Sequence, residues 1–184
     1  TSEGCEATTE RGVGVLLEDG MVLTSAHVVA GTTTIRVTVG GRAYEAAVLA
    51  FDPFQDLAVL KIMTEQQGLR LGEIDPGTTA WILTFDHLNG EPDPEPVEVV
   101  RHLRATITDI YQEEDVTRKV LEIDGEVRTG DSGSALVDAD GNVGGIVFAS
   151  ARPANTTGFV LDIEPLEAIV ASSTEPIPSW GTCD

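Results

Sequence analysis

Three short segments carry side chains that together could cleave an acyl bond. Thr24-Ser25-Ala26-His27-Val28-Val29 follows a strand-like run, Phe51-Asp52-Pro53-Phe54-Gln55-Asp56-Leu57-Ala58-Val59-Leu60 leads into one, and Thr129-Gly130-Asp131-Ser132-Gly133-Ser134 reads as a tight turn. A serine hydroxyl is a weak nucleophile until a neighbouring imidazole accepts its proton. That imidazole in turn needs a carboxylate on its other nitrogen to fix tautomer and orientation. Ser132, His27 and Asp56 are the candidates for these three roles, as nucleophile, base and orienting carboxylate. The glycines beside Ser132 add a fourth element, because they let backbone N–H groups face a developing oxyanion with no Cβ in the way. The amides of Gly130 and Ser132 are assigned to that hole. Each segment alone has a plainer reading, as a packed histidine, a turn-capping aspartate or a hairpin turn. Their order and local contexts, taken together, favour catalysis.

Metal chemistry fits less well. His27, His87 and His102 share the chain with many carboxylates, but no His-x-x-x-His or glutamate motif sets them at ligand spacing. No metal and no cofactor is expected. Ser25, two residues before His27, reads as a packed turn hydroxyl and not as a second nucleophile.

The elements that must position these residues look like strands. Apolar and β-branched runs bounded by turn residues fall at 12–17, 20–24, 34–39, 42–51 and 57–62. After a turn-rich stretch at 72–78, a second series falls at 79–84, 97–110, 116–123, 134–137, 142–149 and 157–163. Close to six strands per half predicts an all-β protein with an N-terminal barrel over about 10–75 and a C-terminal barrel over about 78–171. The segment 86–96 carries three prolines, which lack backbone donors, and reads as an exposed loop and not as a central strand. Residues 164–171, with Pro165 in the first turn and Leu166, Ile169 and Val170 at helical spacing, predict a short terminal helix.

Composition narrows the partners. With 31 acidic residues against 11 basic ones, the chain carries a formal charge of −20. Such a surface repels phosphate backbones and anionic lipid heads, so neither nucleic-acid binding nor direct membrane contact is expected. A length of 184 residues suffices for a sizeable core without a structural metal. Thr1 is neither an initiator methionine nor the start of a signal peptide, which reads as a mature or excised domain. A membrane anchor upstream would lie outside this sequence. Cys5 and Cys183 stand at opposite ends with no metal-like spacing. A staple between the termini is the natural reading, and it implies an oxidising, extracytoplasmic compartment. Two unrelated thiols remain the alternative.

The chain resembles the trypsin-like serine proteases, in the bacterial periplasmic branch that includes the HtrA and MarP proteases, and it is most like the protease domains of the MarP acid-resistance type. The resemblance runs through Ala26-His27-Val28-Val29-Ala30-Gly31, residues 51–60, the run 101–110, Gly130-Asp131-Ser132-Gly133, residues 144–148, Thr157-Gly158-Phe159-Val160-Leu161 and the two end cysteines. It implies a chymotrypsin-like double β-barrel with the site between barrels, the triad at His27, Asp56 and Ser132, and a disulfide joining the termini. It also implies protein or peptide substrates, and a place in extracytoplasmic stress or quality control. In that family the segment before the serine lines the primary pocket, here residues 125–129, with Val127 as a wall and Gly158 opposite. That arrangement favours small or medium aliphatic residues before the scissile bond. Glu126, six residues before the nucleophile, makes a preference for Lys or Arg the runner-up. Ser134 and Ala135 depart from the usual continuation of the serine turn, and Thr1 offers no freed amino terminus to Asp131, which needs another partner. A catalytically silent binding or chaperone relative is the rival class, and the three intact residues argue against it.

Overall fold

The structure is a computed structural model that describes residues 2–4, 9–85, 92–128, 130–150, 157–178 and 180. Strands such as the one at 79–85, where burial alternates from residue to residue, pair antiparallel with one face inward. One sheet contains β1 (Ser2–Gly4), β2 (Thr9–Glu10), β3 (Gly14–Leu16), β4 (Met21–Thr24), β5 (Thr32–Val39), β6 (Arg42–Asp52) and β7 (Leu57–Lys61), ordered β2-β1-β5-β6-β7-β4-β3. β7 is flanked by β6 and β4 and is apolar up to its last residue, with Leu57, Ala58, Val59 and Leu60 all buried. Asp56, the residue just before it, is therefore fixed to the middle of the sheet.

The second sheet is made of β8 (Arg70–Leu71), β9 (Thr79–Phe85), β10 (Pro92–Thr108), β11 (Asp115–Asp124), β12 (Ala135–Val137), β13 (Asn142–Ser150) and β14 (Thr157–Asp162). β12 pairs with both β9 and β13, which closes six strands into a barrel, while β8 lies parallel beside β13. Among the described residues the first sheet stays open, because its end strands β2 and β3 do not meet. The two-barrel, chymotrypsin-like expectation holds, with one barrel closed and the other a partial one.

The proline-rich stretch corrects a sequence expectation. Residues 86–91 lie outside the described residues, but 92–96 are strand and not loop, with Pro92, Pro94 and Pro96 facing Phe85, Leu83 and Trp81 of β9. Pairing with β11 begins only at Glu98, so one side of this stretch is an edge. Prolines two residues apart aim their missing donors the same way, and an edge tolerates that.

Among the described residues helix is limited to α1 (Ala26–Val29) and α2 (Ile163–Ser172), with a single 3-10 turn at Glu18–Gly20. Asp162 caps α2 by accepting from the Ile163 amide at 2.7 Å. Leu166 and Ile169 of α2 join Leu23, Leu57 and Val59 of the first sheet and Ile146 and Leu161 of the second in one apolar cluster. Beyond α2 the chain returns to the first sheet, where the Ile177 amide donates to the Val48 carbonyl at 2.8 Å. There Ile177 and Trp180 cover the cluster of Val22, Val29, Ile35 and Val48. The Trp180 indole donates to Thr32 Oγ1 at 3.3 Å. Cys5, Cys183 and the link expected between them lie outside the described residues, as does His87.

Candidate active site

His27 is set by the joint between β4 and α1. Val22 and Leu23 pin β4 inward, and the Thr24 hydroxyl donates to the Val13 carbonyl at 2.6 Å. Ala26 and Val29 are buried by the single turn of α1, which turns His27 outward. Asp56 comes from the turn between β6 and β7. Asp52 Oδ1 accepts the amides of Phe54 and Gln55, both at 2.9 Å, a side-chain turn that brings the chain around sharply. Asp56 then takes a left-handed φ of 57°, a region that aspartate tolerates better than most side chains.

The two residues meet closely. His27 Nδ1 lies 3.0 Å from Asp56 Oδ1 and 2.8 Å from Oδ2, and the His27 backbone amide also donates to Oδ1 at 2.9 Å. An ionised carboxylate only accepts, so the proton of a neutral imidazole must sit on Nδ1 and the Nε2 lone pair is left for other chemistry. Asp56 is only 6% exposed, whereas the His27 side chain is 42% exposed. The carboxylate is sequestered and the ring is reachable.

The serine turn reaches the same joint from the second sheet. Asp131 is buried and accepts from Thr84 Oγ1 and from the Arg128 amide, each at 2.7 Å, so its carboxylate has partners within the domain. The Ser134 amide donates to the Asp131 carbonyl at 2.9 Å, while Gly133 and Ser134 bond Val147 through its carbonyl and its amide. Gly133 has φ 86°, and a Cβ there would collide with the Val13 carbonyl and stand 3.0 Å from Thr24 Oγ1. Only glycine lets the turn press onto the joint that carries His27. Ser132, next to it, is partly exposed. Among the described residues its hydroxyl has no hydrogen bond, and neither its amide nor that of Gly130 donates to a backbone carbonyl. Such contacts often tighten only around substrate.

The residues expected to line the pocket divide. Val127 packs against Gly158, where a Cβ would collide with Val127 Cγ2 and crowd Ile123. Glu126 is exposed, and its carboxylate lies 3.2 Å from Arg128 Nη2. The hydrogen bond and charge of Arg128 hold Glu126 below the usual carboxylate range. Arg128 also approaches Glu95 at 3.7 Å and Asp93 at 3.8 Å. Sequence reasoning overlooked this cation. Its spacing from Glu126, two residues on, was the available signal.

Residues 12–146, which include His27, Asp56 and Ser132, match the family described as the trypsin-like peptidase domain. The chain belongs to that family. This trypsin-like peptidase chain is 33% identical over 184 residues to the serine protease Rv3671c of Mycobacterium tuberculosis, an alignment that covers 97% of the chain and 46% of that protein. The crystal structure of the active form of the Rv3671c protease matches it with a TM-score of 0.89 at 31% identity, covering 99% of this chain and 82% of the other. An HtrA-type protease, AlgW with a decapeptide, matches with a TM-score of 0.73 at 28% identity, over 88% of this chain and 51% of that one. The trypsin-like peptidase chain thus spans about half the length of Rv3671c.

Proposed function

We propose that this domain is a serine endopeptidase that cleaves peptide bonds through an acyl-enzyme intermediate. The observation that carries the reading is the His27–Asp56 pair, which leaves Nε2 with a lone pair at the joint where the serine turn docks. In the proposed reaction Ser132 Oγ attacks the scissile carbonyl carbon as its proton passes to His27 Nε2. The amides of Gly130 and Ser132 hold the oxyanion. Collapse of the tetrahedral species expels the amine, which takes the proton back from Nε2 and leaves Ser132 acylated. Water then repeats the sequence and releases the acid. Asp56 keeps its charge throughout and stabilises the imidazolium. Labelling with an organophosphorus serine reagent tests this: one adduct is expected, on the peptide containing Ser132. An adduct on Ser25 or Ser134 overturns the assignment, as does a failure to react.

We further propose a primary pocket for small or medium aliphatic side chains. The Val127–Gly158 wall is apolar, and Glu126, the residue that would select a cation, is paired with Arg128. Profiling with a peptide library is expected to show cleavage after residues such as Ala, Val or Leu. Dominant cleavage after Lys or Arg would reject that pocket.

Extracytoplasmic protein quality control is the setting we propose, supported by the terminal cysteines and the likeness to an HtrA-type protease. We propose that Cys5 and Cys183 are bonded there. No helix among the described residues is long and apolar enough to cross a membrane.

A further inference from the structure

Arg118, on β11, is 3% exposed, the one fully buried cation among the described residues, and the chemistry above makes no use of it. Taking a guanidinium out of water is unfavourable unless carbonyls, carboxylates or aromatic faces replace the lost solvent. All three are present. Arg118 Nε donates to the Phe54 carbonyl at 2.7 Å, two residues before Asp56, and its guanidinium carbon lies 5.5 Å from the centre of the Phe148 ring on β13. The negative charges of Asp56, Asp52 and Asp109 also act on it. Burial lowers the affinity of Arg118 for its proton, and these three carboxylates act against that loss.

Two of those carboxylates also build the surrounding backbone. Asp52 folds the turn that ends in Asp56, and Asp109 accepts the amides of Tyr111 and Glu113 in the turn between β10 and β11. That second turn reaches across to the first through the Ile110 amide, which donates to the Pro53 carbonyl at 3.4 Å. The turn that carries Asp56 in a left-handed conformation is therefore held by the second barrel at two successive carbonyls, those of Pro53 and Phe54.

We infer that Arg118 is a positioning residue for the His27–Asp56 pair, tethering the Asp56 turn through the Phe54 carbonyl and bringing a fixed positive charge to bear on the carboxylate. The inference rests on the proposed triad. The tether keeps both Asp56 oxygens on His27 Nδ1. The charge tempers the hold of Asp56 on imidazolium, so that His27 returns to the neutral base more readily.

The test compares the parent with Arg118→Met, which keeps the bulk and removes charge and donor, and with Arg118→Lys, which keeps the charge without the planar fork. NMR would follow the downfield Nδ1 proton and the titration of His27, alongside kcat and KM on a peptide substrate. In Arg118→Met the Nδ1 proton resonance is expected to shift, His27 to titrate at higher pH, and kcat to fall about ten- to a hundredfold with KM within about twofold, the scale expected of a misplaced catalytic pair. Arg118→Lys is expected to restore the titration and leave kcat several-fold low. A folded Arg118→Met with His27 resonance and titration unchanged overturns the inference, as does a loss confined to KM. Should Arg118→Met not fold, an Arg118→Lys variant identical to the parent in both kcat and the Nδ1 resonance overturns it equally. The NMR readings need no turnover, so they judge Arg118 even if labelling rejects Ser132 as the nucleophile.

Discussion

Ser132→Ala is expected to abolish peptide-bond hydrolysis while leaving the fold intact. The substitution removes one oxygen from a partly exposed residue whose hydroxyl bonds nothing among the described residues, so the change in stability should stay within about 0.5 kcal/mol. Turnover should suffer far more. Without the hydroxyl no acyl-enzyme can form, and loss of the nucleophile in serine proteases lowers kcat by on the order of 10⁶. The remaining hydrolysis would come from the oxyanion donors and from substrate binding alone. Measuring kcat/KM beside the thermal midpoint separates the two effects. A variant within tenfold of the parent rate would remove Ser132 from the mechanism, and a collapsed midpoint would mean that the hydroxyl also supports the turn.

The three catalytic candidates were legible because each comes from a short segment whose residue types are tied to chemistry. Strand placement was legible where an apolar run is bounded by turn residues, as in β7 and β9. What the sequence concealed were contacts made across the barrels. Nothing local marks Arg118 as buried: it lies among Asp115, Thr117 and Lys119 in a polar-looking stretch, and its partners are 64 residues away at Phe54 and 30 residues on at Phe148. The strand at 92–96 was hidden for another reason. Proline content argues against a central strand, but whether a strand has one neighbour or two depends on where β11 begins to pair. The pairing of Glu126 with Arg128 is local, yet two residues apart on an irregular segment carries no periodic signature.

The other large effect concerns the ends of the chain. Cys5→Ser/Cys183→Ser is expected to lower stability by several kcal/mol, against about 5 kcal/mol for closing a loop of nearly the whole chain in the entropy account. The described flanks support the pairing. Gly4, next to Cys5, faces Thr32 in the β1–β5 ladder, and Trp180, three residues before Cys183, bonds the hydroxyl of that same Thr32. The initial rate should change little, since both cysteines are far in sequence from His27, Asp56 and Ser132. Endurance should change more, because a protease cuts its own opened copies in proportion to how often they open. Thermal midpoint, free-thiol titration and self-cleavage over time provide the check. Two titratable thiols in the folded, oxidised parent would end the proposal.

The return of the chain to the first sheet has a consequence for the order in which the molecule can be completed during synthesis. β3 to β7 leave the ribosome more than a hundred residues ahead of Ile177 and Trp180, the side chains that cover the cluster of Val22, Val29, Ile35 and Val48. A nascent chain that stops short of residue 177 therefore presents this apolar surface bare, at the stage when unfinished domains are most prone to associate. Ser132 is added after His27 and Asp56 but before that cover. The nucleophile thus exists as a chemical group before the half of the molecule that holds its base has received its last packing partners.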